Sequence, residues 1–218
     1  MNQDTLTDRR IGMWSAISVA VLGGIYVCVG GMGVLMRPPG LAPLAQVDPY
    51  LAILEFLIIL SAVALVAMMA AIYRYAPAET KACSLIALAF MIAFAVLTCS
   101  THFASLTVGR QMAPATVPQV FKQLSMVTWP TIALALDLLA WDFFLGLSLL
   151  FAAPVFRGTI RIVMYVNAVL CLAGTVAPLS GQMWLQLSAI AGYAFVLPVN
   201  CILLARLFAR QHLQNHPA

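Results

Sequence analysis

Six times along the chain, a run of more than twenty residues passes with at most two charged side chains. A helix needs about 20 apolar residues to cross the hydrocarbon layer of a bilayer, so this pattern limits the fold more than any motif does. The runs cover 11–36, 50–73, 82–108, 126–153, 159–180 and 184–208. The expected fold class is therefore all-α, a polytopic integral membrane bundle of six transmembrane helices forming one domain over 1–218. Only 8% of residues are charged and mean hydropathy is +1.00, which leaves no stretch polar enough for a separate soluble domain. The connectors are short and punctuated by Pro and Gly, as in Arg37-Pro38-Pro39-Gly40, Tyr75-Ala76-Pro77 and Pro114-Ala115-Thr116-Val117-Pro118. The first run follows Arg9 and Arg10 as a signal peptide would, but it is about twice as long as a signal core and lacks a small-residue cleavage site, so it is expected to stay as a helix.

Orientation follows from the basic residues. Alternate connectors collect Arg9, Arg10, Arg74, Lys81, Arg157, Arg161, Arg206 and Arg210 on one side and Arg37, Arg110 and Lys122 on the other. Because Lys and Arg stay cytoplasmic, both termini are expected inside, in a bacterial-type inner (plasma) membrane. The net charge of +4 is spread singly over segment ends, which fits membrane lipids as partners and excludes a nucleic-acid patch. The tail from Arg206 to His216 is read as touching anionic headgroups. Oligomeric state leaves no signal in the sequence.

Gly12, Ala16, Ala20, Gly24 and Cys28 recur every four residues along the first segment, a small-residue stripe on which a neighbouring helix can pack closely. The five cysteines all lie in apolar runs without CxxC spacing and read as small buried hydrophobes. The cluster Gly30-Gly31-Met32-Gly33 lacks the strand and helix context of a phosphate loop, and no GxxxxGK occurs. With one His inside the spans, paired-His haem ligation is impossible. His102 and the carboxylates lack zinc-site spacing, and Lys81 and Lys122 lie in connectors, away from any retinal-type position. No cofactor or metal is expected. The first three segments are not repeated in the last three, since the fourth carries two carboxylates and the first none, which weighs against repeat-built transporters.

Four acid or histidine side chains fall within the spans: Glu55, His102, Asp137 and Asp142. Two Asp near the middle of the fourth segment cost about 5 to 7 kcal/mol on insertion, against about 4 to 8 kcal/mol returned by its Leu, Ile, Val and Phe residues. Such acids are expected to face the protein interior. Counting about 1.5 Å of rise per residue from the cytoplasmic ends puts Glu55 near 28 Å and His102 near 30 Å. The two are therefore expected to meet near the external face as an acid and base couple, with hydroxyls from Thr98, Thr101 and Ser105 at the same end. Asp137 comes out at about 24 Å and Asp142 at about 16 Å. Asp142, with Asn167 and Asn200 at about 12 Å, is expected to form an interhelical hydrogen-bonded cluster. Asp137, with Thr175 and the Glu55 and His102 level as its nearest polar company, is the expected proton donor and first functional residue. Trp129, Trp141, Trp184 and Tyr193 are aromatics that could line a cavity or anchor the helices.

These residues favour an intramembrane acid/base enzyme of isomerase or cyclase type, acting with Asp137, Glu55 and His102 on a small lipophilic ligand. A proton-linked or passive small-solute carrier, and a noncatalytic membrane subunit or sensor, are the alternatives. The run Ala135-Leu136-Asp137-Leu138-Leu139-Ala140-Trp141-Asp142-Phe143-Phe144 is distinctive without pointing to an activity.

Overall fold

The computed structural model describes residues 3–36, 48–109, 126 and 129–213. Among these, six helices are long and apolar enough to span a bilayer: α1 Leu6–Leu35, α2 Tyr50–Tyr75, α3 Ala78–Gly109, α4 Ile132–Val155, α5 Gly158–Ser180 and α6 Met183–Arg210. The chain is a multi-pass integral membrane protein. Helix is what lipid requires of it, since a spanning segment must satisfy its own backbone hydrogen bonds.

Consecutive helices pack side by side, and α6 returns to pack against α1, so the six form a closed ring. Its interior holds Leu65, Met68 and Met69 of α2, Met91 and Phe94 of α3, Leu145 and Leu149 of α4, Met164 of α5, and Leu204 and Phe208 of α6, all fully buried. The outer surface is as apolar as the core. Trp14, Phe56, Val63, Phe103, Val169 and Phe195 are each more than half exposed, an arrangement stable only where lipid replaces water.

The small-residue stripe of α1 is used over half its length. Ala16 is fully buried, and a Cβ on Gly12 would meet Phe208 at 2.8 Å and Ala71 at 3.0 Å, so α2 and α6 both close on α1 there. Gly24 has nothing within 4 Å and Cys28 is exposed, which corrects the expectation of a continuous packing face.

The fourth span begins later than its hydropathy predicts. Residue 126 lies outside it, and α4 starts at Ile132 behind the N-cap Thr131, whose hydroxyl accepts from Leu134 N at 3.3 Å. Pro130 explains the delay, because the residue before a proline is disfavoured in helical conformation and a Thr cap supplies the starting signal. The connector residues Arg37 and Pro38 to Gly40, Arg110, Pro114 to Pro118 and Lys122 lie outside the described residues.

Among the described residues, three wider turns interrupt the regular helices. A π-helical segment runs over Ser105–Gly109 in α3, another over Leu139–Phe144 in α4 and a third over Gly192–Val196 in α6. Such segments often occur at functional sites. Here they follow His102 on α3, carry Asp142 and Trp141 on α4, and carry Tyr193 on α6.

Candidate functional site

Glu55, His102 and Asp137 come from α2, α3 and α4 and meet inside the ring. Glu55 and His102 are almost fully buried, with side-chain exposures of 5% each, while Asp137 keeps 16%. His102 Nδ1 pairs with Glu55 Oε2. Its other ring nitrogen, Nε2, lies 3.1 Å from Asp137 Oδ1. On the far side of Glu55, Ser105 donates its hydroxyl to Oε1 at 3.0 Å. The result is a linear chain of polar groups, Ser105 to Glu55 to His102 to Asp137, crossing three helices.

The α2–α3 turn and the helical phase of α3 explain why these groups converge. Counted rise brings Glu55 and His102 to one height, and a three-residue step along α3 puts Ser105 on the same face as His102. Asp137 reaches up to them from a slightly lower turn of α4. Thr101 donates to its own helix at Leu97 O and Thr98 O, 3.0 and 3.1 Å away. The hydroxyl oxygen of Thr98 is buried with no hydrogen bond. Neither threonine joins the chain of polar groups. Thr175 likewise donates to Leu172 O at 2.6 Å, and it is not hydrogen-bonded to Asp137.

The expected cluster of Asp142, Asn167 and Asn200 divides in two. Asp142 is fully buried and accepts a hydrogen bond from Gln186 Nε2 of α6 at 2.9 Å, while its Oδ2 has no hydrogen bond. A Cβ on Gly174 would come within 3.1 Å of that oxygen, so the backbone of α5 covers it. Asn167 and Asn200 pair with each other. In the amide orientation that satisfies both its ends, Asn167 donates to Gly192 O at 2.9 Å and accepts from Asn200 Nδ2 at 3.0 Å and Leu197 N at 3.3 Å. Free carbonyl and amide groups beside the π-helical segment of α6 thus draw Asn167 away from Asp142. Counted rise along untilted helices sets Gln186 well above Asp142, which is why height alone does not select it. Its one signal in the sequence is being an amide inside an apolar run.

Two aromatic hydroxyls complete the surroundings. Tyr26 of α1 lies within electrostatic range of Asp137 and Glu55. Sequence reasoning missed it, although its rise from Arg10, about 24 Å, equals that of Asp137. Tyr193 lies within electrostatic range of both Asp142 and Asp137. Trp141 bridges this region to the core, edge-on to Phe94 with ring centres 4.9 Å apart and 5.2 Å from the ring of Tyr193. Trp184 is two-thirds exposed and donates to Gln182 at 3.1 Å.

Chemically, both ring nitrogens of His102 are engaged, so the imidazole has no lone pair to offer a substrate. Asp137 does. Its Oδ2 makes no hydrogen bond to a described residue, and it is the most exposed of the three charged groups.

Comparison of the chain with protein-family models, curated protein sequences and solved structures finds no match.

Proposed function

We propose that the protein is an intramembrane acid/base enzyme of isomerase or cyclase type, acting on a lipophilic substrate, with Asp137 as its proton-exchanging group. The observation that carries this reading is the bridging of His102 between the buried Glu55 and the partly exposed Asp137, which leaves Asp137 Oδ2 as the accessible acid. Glu55 and Ser105 fix the imidazole, and the imidazole holds Asp137 Oδ1 and offsets its charge after proton transfer. In an isomerisation, protonated Asp137 would give its proton to one carbon of a carbon–carbon double bond. Loss of a proton from the neighbouring allylic carbon to the Asp137 carboxylate would then restore the acid and shift the double bond. No oxidant, reductant or cofactor is consumed.

In deuterated water this cycle places one carbon-bound deuterium in the product. The protein reconstituted in a total membrane lipid extract should therefore label one lipid class, read by mass spectrometry after exchangeable sites are washed out, and Asp137→Asn should label none. If no lipid is labelled, and proteoliposomes instead dissipate an imposed proton gradient in a manner dependent on Asp137, the carrier reading replaces the enzyme.

With this site goes the proposed orientation, both termini cytoplasmic in an inner (plasma) membrane, which places the acid/base cluster near the external face. It rests on the asymmetry of Lys and Arg between the two ends.

A further inference from the structure

At the end of the bundle opposite the acid/base cluster, a cleft of about 460 Å³ opens between the ends of α2, α4, α5 and α6. Glu55 and Tyr75 occupy opposite ends of α2, about 30 Å apart by helical rise, so the two sites are independent. The walls are Tyr75, Pro77, Val155, Phe156, Ile160 and Leu207, and the one charged lining group is Arg157. Tyr75 is fixed by Phe156, stacked at 5.8 Å, and by Phe208, edge-on at 5.9 Å. The volume lies in the range of small-ligand sites, which are mostly apolar with a few placed polar groups.

The basic residues around the cleft are not alike. Lys81 donates to Tyr73 O at 2.6 Å and lies over the Tyr73 ring. Arg161 donates to Phe156 O at 2.7 Å and Pro154 O at 3.1 Å. Arg157 makes no hydrogen bond or ion pair with any described residue, though it is held on an extended stretch between Phe156 and Gly158 at the mouth of the cleft. Gly158, with φ of 60°, lets the chain turn into α5 directly behind it. A guanidinium with no partner among the described residues, carried beside an apolar slot at the membrane interface, matches an amphiphile with an anionic head.

We propose that this cleft binds one anionic phospholipid, with its phosphate on Arg157 and an acyl chain along Tyr75, Ile160 and Leu207. Surrounding basic residues at this end of the bundle, including Arg210, enrich such lipids nearby. The cleft selects one of them.

The test is native mass spectrometry of the detergent-purified chain, titrated with phosphatidylglycerol and with phosphatidylcholine of the same acyl composition. Wild type should retain one phosphatidylglycerol in preference to phosphatidylcholine. Arg157→Ala should lower that preference about fivefold, the effect of one basic residue at an anionic surface, and Arg157→Lys should restore most of it. Leu207→Trp, which fills the slot and leaves the charge, should lower the affinity for both lipids. Arg210→Ala is the control for diffuse charge and should leave the preference unchanged. Equal preference in wild type and Arg157→Ala, or an equal loss in Arg210→Ala, would overturn the site. If inorganic phosphate displaces phosphatidylglycerol, the cleft is a free-anion site and the lipid assignment falls.

Discussion

Asp137 and Asp142 stand five residues apart on one helix, yet their surroundings differ in kind. Asp137 faces an imidazole and keeps an accessible oxygen, whereas Asp142 is sealed between Gln186 and Gly174. Asp137→Asn keeps the shape and an acceptor for His102, so it should abolish deuterium labelling with little change in thermal stability. Asp142→Asn retains the bond from Gln186 but replaces the Oδ2 acceptor, buried against the backbone of α5, by an amide that carries two donors. It should lower stability by about 1 kcal/mol and leave labelling in place. The reverse pattern, measured by thermal unfolding in detergent beside the labelling assay, would exchange the roles of the two acids. The Glu55 and His102 pair calls for a different measurement. Removing one partner of a buried charged pair costs about 3 to 5 kcal/mol because the other is left uncompensated. A cycle of Glu55→Gln, His102→Gln and the double variant should therefore show a coupling of about 1 to 3 kcal/mol, in the range of contacting residues. Additive single effects would mean that the contact contributes nothing.

Helix packing depends on a few places where no side chain fits. A Cβ on Gly174 would sit 2.3 Å from that of Ala189, so Gly174→Ala should separate α5 from α6, disturb the Asp142 and Gln186 bond and cost about 1 to 3 kcal/mol. Gly24→Ala, in open space, should lie within about 0.5 kcal/mol of wild type; chemical unfolding of the two variants in detergent micelles makes the comparison. Helix number and the meeting of Glu55 with His102 were legible because hydropathy, length and axial rise are properties of single segments. Asp137 was placed near them by the same arithmetic. Its Gln186 counterpart on Asp142, and Tyr26 near Glu55, were not, since they depend on helix rotation, tilt and π-helical widening, which arise only when helices pack. The late start of α4 was readable in Pro130 and Thr131, but hydropathy outweighed those local signals. The small-residue stripe of α1 overstated its contact because a four-residue repeat tells which face is smooth without telling how far a neighbour follows it.

For the whole molecule, the charge asymmetry predicts an orientation that contacts alone do not supply. Reporter fusions after residues 40, 77, 115, 158 and 182 should read outside, inside, outside, inside, outside, and two neighbouring fusions on one side would break the arrangement. The closed ring adds a constraint of its own. Because α6 packs on α1 and donates to Asp142 from 44 residues downstream, the bundle is completed only by its last helix. At synthesis rates of about 5 to 20 residues per second, Asp142 waits about 2 to 9 s for Gln186. During that interval α4, whose two acids nearly cancel its gain on insertion, sits in the membrane without its amide partner. Biogenesis of this chain is thus exposed to membrane-embedded insertion and quality-control machinery for the seconds that separate Asp142 from Gln186.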